Sequence, residues 1–122
     1  MTFKLILAFV EPDRTEELLA EARRAGASGA TVVTNARGEG RKPRRGVFGL
    51  EIAAQRDVIL LLVEQSRAGS VMAALDRAGD FDNSPGTGIA IQIDVEDALG
   101  VRDQMTALLE RDQGGQGDQG LV

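Results

Sequence analysis

A chain of 122 residues, 43% of them apolar, can fill one core; two separate cores would each be too small to offset their own chain entropy. With no Cys and no His, disulfides, thiol nucleophiles, imidazole bases and the commonest zinc ligands are all absent, so no metal site and no catalytic group is expected. A formal net charge of −5, with four Phe and no Tyr or Trp, argues against a nucleic-acid partner, which needs a basic face and stacking platforms.

In chain order, KLILAFV (Lys4 to Val10) is apolar at nearly every position and predicts a strand buried on both faces. The N-terminus lacks a basic, apolar, small-residue leader pattern, and no apolar run reaches the roughly 20 residues that span a bilayer. A cytoplasmic protein with no membrane insertion is expected. Asp13 followed by Glu16 is a capping-box signal for a first helix, whose stripe of Leu18, Leu19, Ala22 and Ala25 is ended by Gly26. ATVVTNA (Ala30 to Ala36) predicts a mixed, peripheral strand. A long connection follows, from Gly38 to about Gln55, carrying GEGRKPRRG; connections of this length tend to be functional.

DVILLLV (Asp57 to Val63) is a second all-apolar strand, and Val71, Met72, Leu75 and Ala78 form a second helical stripe ended by Gly79. IAIQIDV (Ile89 to Val95) alternates, with Ile89, Ile91, Ile93 and Val95 on one face and Gln92 and Asp94 on the other. Val101 to Arg111 predicts a short C-terminal helix, and the Gly/Gln/Asp-rich residues 112–122 a disordered tail, so the single domain is expected to span 1–111. VEPDR matches VEQSR, and ARRAG matches DRAG, at one constant spacing: the strand–helix–strand unit is duplicated.

Two such units with central first strands predict an α+β, ferredoxin-like βαββαβ fold with a four-stranded antiparallel sheet and both helices on one face. The opposite face of the two apolar strands would then meet water, at about 1.5–3 kcal/mol per large side chain. Another copy of the same sheet is the simplest cover, so an obligate oligomer is expected.

Three features could hold an anion. Gly38-Glu39-Gly40-Arg41 exits the second strand without the following helix that a dinucleotide fingerprint requires, and the cations Lys42, Arg44 and Arg45 come next. Gly86 and Gly88 flank Thr87 in SPGTGIA, where backbone N–H groups and a hydroxyl could face an anion. Arg102 is a fixed cation beyond the fourth strand. Each has a plain structural explanation as well: a tight turn, a solvated charge run, a Pro-Gly turn, a surface arginine. The paired acids Glu16/Glu17, Asp80/Asp82 and Glu96/Asp97 are adjacent in sequence rather than opposed across a site.

These pieces in this order, from Phe3 to about Arg102 and most clearly in GASGATVVTNARGEGR (Gly26 to Arg41), resemble the PII family of nitrogen regulatory signal-transduction proteins. The resemblance implies a homotrimer with sheets packed inward, adenine nucleotides bound in clefts between subunits, and a loop that contacts a regulated transporter or enzyme. No cofactor is implied beyond that AMP, ADP or ATP ligand. It places Gly38, Gly40 and Arg41 at the loop base, Leu62 near the adenine, Gly86, Thr87 and Gly88 at the phosphate-proximal turn and Arg102 as the second of two C-terminal arginines. Lys42, Arg44 and Arg45 become the partner-binding surface, with bicarbonate a further ligand some relatives are thought to sense. Ile89 stands where the family generally has lysine, and Gly100 where it has the first arginine. Two phosphate cations are thus absent, which favours AMP or ADP over ATP. Lys42 replaces a glutamine tied to magnesium and 2-oxoglutarate, and without tyrosine uridylylation is excluded. Two rivals remain at this level: a ligand-independent trimeric interaction module, and a small phosphate-ester hydrolase built on Asn35 and Arg37.

Overall fold

The structure, a computed structural model, describes residues 2–38, 44–45, 51–52 and 54–102. Strands β1 (Phe3–Val10), β2 (Thr31–Gly38), β3 (Ala54–Glu64) and β4 (Gly88–Asp94) form one antiparallel sheet in the order β2-β3-β1-β4. Helices α1 (Thr15–Arg24) and α2 (Gln65–Gly79) complete the ferredoxin-like α+β topology. The two all-apolar segments are the central strands and the two mixed ones lie at the edges, as their patterns require. In the long connection, the backbone of Arg44–Arg45 pairs antiparallel with Glu51–Ile52 as a two-residue ladder. Of the predicted 101–111 helix only Val101 and Arg102 are described, and the 112–122 tail lies outside the described residues.

Strand register assigns the faces. Ile6 opposes Leu61 and Ala8 opposes Ile59 on the helix side, all four buried, and Leu18, Leu19 and Ala22 of α1 with Ala68, Val71 and Leu75 of α2 close the core over them. On the other side Leu5, Leu7 and Phe9 oppose Leu62, Leu60 and Val58, and Ile93, Ile91 and Ile89 of β4 extend the same rows. The three isoleucines are between 42% and 61% exposed, and Val33 of β2 adds to this face at 50%. The alternation of β4 is therefore turned outward: its apolar residues face away from the helices, while Gln92 and Asp94 lie on the helix side, where Asp94 pairs with Lys4.

The helix ends depart from the sequence reading at two points and agree with it at a third. Asp13 is not a capping residue: Pro12–Arg14 form a 3-10 turn, and α1 starts at Thr15 with no side-chain cap. Proline suits the first position of such a turn because it brings its own φ and no N–H to satisfy. Gly26 does terminate α1 (φ +124), with Gly26 N donating to Arg23 O at 3.1 Å and Ala27 N to Ala22 O at 3.0 Å, a Schellman closure over two buried alanines. Gly79, its counterpart, is instead the last helical residue of α2, and Asp80 takes the left-handed position (φ 50).

The two halves clasp each other. Arg14 Nη2 donates to Ala78 O at the C-terminal end of α2, while the stem of Arg67, its counterpart in the repeat, lies over Gly26 at the end of α1. Thr15 Oγ1 donates to Asp57 Oδ2 at 2.7 Å, joining α1 to β3 through the two buried polar residues of the described core. Desolvating either group without its partner would be expensive, so each accounts for the other.

Glu64 caps α2: its carboxylate accepts from Ser66 N at 2.8 Å and from the Ser66 hydroxyl. The Ser66 hydroxyl chiefly, helped by Ser66 N–H and the charge of Arg67, holds its pKa below the ordinary 4.5 despite some burial. A lowered folded-state pKa contributes stability that is present above the unfolded value and lost as pH falls through the lowered one. Glu64→Ala is expected to cost about 1 kcal/mol at pH 7. In urea unfolding the gap from wild type should narrow at pH 3, and an unchanged gap would refute the cap.

Candidate functional site

The connection from α2 to β4 is closed on itself by its polar side chains. The Asp80 carboxylate accepts from Asn83 Nδ2 and from Ser84 Oγ, both at 3.0 Å, and Asp80 O accepts from Ser84 N at 3.0 Å. Thr87 donates to Ser84 O through N at 3.2 Å and through Oγ1 at 2.8 Å. The Thr87 donors are thus spent inside the turn, where the sequence suggested they could face an anion. Gly86 (φ +87) takes the backbone conformation that a side chain disfavours, with nothing within 4 Å of where a Cβ would sit.

An aromatic ring fixes this turn from beneath. A Cβ on Gly79 would lie 2.4 Å from Phe81 Cε1, and one on Gly88 would lie 3.0 Å from the same atom and 2.6 Å from Phe9 O. The Phe81 ring, packed against the core, fills the space that two glycines leave open at the end of α2 and the start of β4. Gly79 is therefore explained by this ring rather than by helix termination, a long-range reason that periodicity does not reveal.

A cation holds the turn from the side. β1 stops at Val10, opposite Asp57 on one side and Gly88 on the other; β3 runs past that end through Ala54–Arg56, and the turn that leads into β4 at Gly88 lies beyond it on the other side. The gap between them is two strand spacings, about 10 Å. Arg56 crosses it: Nη2 donates to Gly86 O at 2.9 Å and Nη1 to Gln55 O at 3.1 Å. Sequence reasoning missed Arg56. The signal available was the Arg56-Asp57 pair heading an apolar strand, since charges there need partners.

Gly38 ends β2 opposite Ala54, at the same end of the sheet as the turn but on the opposite edge strand, three strand spacings or about 14 Å away. Leu62 lies on the open face in the Leu5–Ile93 row, toward the other end of the sheet. The chain leaves β4 at that end, where Val95 N donates to Phe3 O, and Arg102 follows as an exposed residue. Gly100 between them has φ +82, a backbone that an arginine would adopt only under strain. Gly40, Arg41 and Lys42 lie outside the described residues, and of Arg44 and Arg45 only the backbone ladder is described. Asn35 sits in the bulge of β2 (φ 61), and both it and Arg37 are exposed on the edge strand. No cluster of three or more potential metal ligands occurs among the described residues.

A duplicated βαβ sheet with one open apolar face and a hydrogen-bonded glycine turn at its end defines a ferredoxin-like α+β protein. The chain belongs to the nitrogen regulatory protein P-II family, whose model matches residues 3–105. These are signal-transduction proteins rather than enzymes, and the hydrolase reading falls. Similar solved structures include Arabidopsis thaliana PII bound to citrate (TM-score 0.64, 22% identity, covering 83% of this chain and 84% of that one). The B. subtilis GlnK–ATP complex is another (TM-score 0.65, 18% identity, 83% of this chain and 88% of that one). At these identities the likeness is one of fold. No curated protein matches the chain.

The ring-in-slot packing makes a coupled prediction. Gly79→Ala should destabilise by about 1–3 kcal/mol, as overpacking does, and most of that loss should disappear in a Phe81→Ala background. Gly88→Ala should stay destabilising in both backgrounds, because its added methyl also meets the Phe9 carbonyl. A thermal-unfolding cycle in which Phe81→Ala leaves the Gly79→Ala loss unchanged would reject the slot.

Proposed function

We propose that this chain is a trimeric, cytoplasmic PII-type sensor that binds an adenine nucleotide, AMP or ADP in preference to ATP, and passes its level to a transporter or enzyme through the basic residues Lys42, Arg44 and Arg45. Family membership across residues 3–105 carries the reading. It is supported by the Asp80–Thr87 turn, which is held in one conformation before any ligand arrives. No helix among the described residues is long and apolar enough to cross a membrane. The solved relatives include one in complex with ATP and one bound to citrate, so the fold accommodates anionic ligands in those proteins.

The placement of the residues supports a site shared between copies. Gly86, Thr87 and Gly88 sit at one end of the sheet, whereas Leu62 and the segment leading to Arg102 belong to the other. A neighbouring copy seated on the open face is a way for both groups to reach one ligand. On this reading Gly38, Gly40 and Arg41 form the loop base beside the phosphates, Leu62 lies by the adenine, Arg102 supplies a cation, and Lys42, Arg44 and Arg45 meet the partner. Bicarbonate as a second ligand belongs to the same proposal.

A ligand-independent trimeric interaction module is the second reading, favoured by Ile89 and by the positive-φ backbone of Gly100 at the positions where the resemblance implies cations. Calorimetry of the assembled protein with AMP, ADP and ATP separates the two. The sensor reading expects saturable binding that weakens at least about tenfold in Arg102→Ala, the usual worth of a hydrogen bond to a charged group. Heat-silent titrations of an intact trimer with all three nucleotides would leave the module.

The open face makes a further demand. Ile91 lies in the middle row of the face, 42% exposed, opposite Leu7. Ile91→Asp would bury a charge in the subunit contact, so sedimentation should show the trimer dissociating or failing to form. An unaltered trimer would mean that another surface holds the subunits together.

A further inference from the structure

The turn is held from three sides by contacts of different character. The Phe81 ring packs against the core, and the exposed Asp80 hydrogen bonds close the turn on its own side chains. The third contact, Arg56 to Gly86 O, joins a full positive charge to a neutral carbonyl at a half-exposed position. Both of its hydrogen-bond acceptors, Gln55 O and Gly86 O, are backbone carbonyls, and no carboxylate pairs with it among the described residues. A guanidinium carries five N–H donors in a planar fork, so an anion at the turn could be engaged with better electrostatics than a carbonyl provides.

We propose that Arg56 is the phosphate-binding cation of this chain, held at the glycine turn by Gly86 O until a nucleoside phosphate takes over its donors. This rests on the nucleotide reading above and names the group that answers the phosphate. The position suits the task. Arg56 reaches Gly86, three residues before Ile89, and so brings a cation from β3 to a turn that has no Lys or Arg of its own between Gly79 and Ile89. It also faces Ala36 across the β2–β3 ladder, two residues inside the Gly38–Ala54 pair that roots the long connection. Movement of Arg56 from carbonyl to phosphate therefore occurs at the root of the segment that carries Lys42, Arg44 and Arg45.

The charge assignment separates this role from a merely structural one. Full-length wild type, Arg56→Gln and Arg56→Lys are titrated calorimetrically with adenosine, AMP and ADP, after thermal melting and sedimentation establish that each variant is folded and assembled. Arg56→Gln should weaken ADP by about tenfold or more, AMP by less, and adenosine not at all, while Arg56→Lys recovers part of the ADP affinity because it keeps the charge. Equal losses for adenosine and ADP would make Arg56 a structural tie of the turn and overturn the proposal. An ADP affinity unchanged in Arg56→Gln would overturn it while leaving the nucleotide reading intact. A wild type that binds none of the three would remove that reading and this proposal together.

Discussion

Two neighbouring strands that are apolar on both faces dictate the rest of this molecule. β1 and β3 lie side by side, and each cross-strand row, Ile6 with Leu61 or Leu7 with Leu60, places hydrocarbon on whichever side it points. Both helices return over the same face, because each strand–helix–strand crossover is right-handed. One face is thus sealed within the chain and the other is left open, with Val33, Ile89, Ile91 and Ile93 exposed on it. The edge strand β4 follows this division: it sends Ile89, Ile91 and Ile93 outward and keeps Gln92 and Asp94 on the helix side, the reverse of an edge strand built to complete a core.

The duplication shows where the two halves part. Both halves keep the same clasp, with Arg14 on the end of α2 and Arg67 over the end of α1, and both keep a glycine at the helix end. They diverge just beyond it. In the first half Gly26 closes α1 and the chain passes into β2 through small residues. In the second half Asp80 takes over the left-handed position, Gly79 makes room for Phe81, and the connection becomes the hydrogen-bonded Asp80–Thr87 turn. An element needed only to reverse the chain would not require a ring packed against the core, a carboxylate hub and an arginine from another strand.

What the sequence disclosed follows from range. Periodicity within a segment reports how many faces of a strand are buried, so KLILAFV and DVILLLV were readable as central and IAIQIDV as peripheral. It does not say which way β4 turns its isoleucines, because that depends on pairing with β1. The cap at Asp13 looked local and failed because Pro12 starts a 3-10 turn first. Gly79, Thr87 and Arg56 could not be read because their reasons lie elsewhere: a ring two residues on, a carbonyl three residues back, and a turn 30 positions away. The glycines of the turn were visible as glycines, and their spacing suggested an anion site, but not what fills the space around them.

Ile89 joins the two themes. Its side chain is on the open face beside Phe9, in the row that Val58 completes, and it is 61% exposed within one chain. A lysine at that register would set a charge at the edge of the apolar surface, which a neighbouring copy covers in the proposed trimer, whereas isoleucine extends the surface by a further residue worth about 1.5–3 kcal/mol when fully buried. In the proposed trimer the position thus serves the contact between copies at the expense of a cation beside the glycine turn. β3 restores positive charge there from another direction, because β1 is short enough to leave a gap that Arg56 can cross. Hydrophobic closure of the sheet and charge at the turn, which compete at residue 89, are satisfied here by different strands.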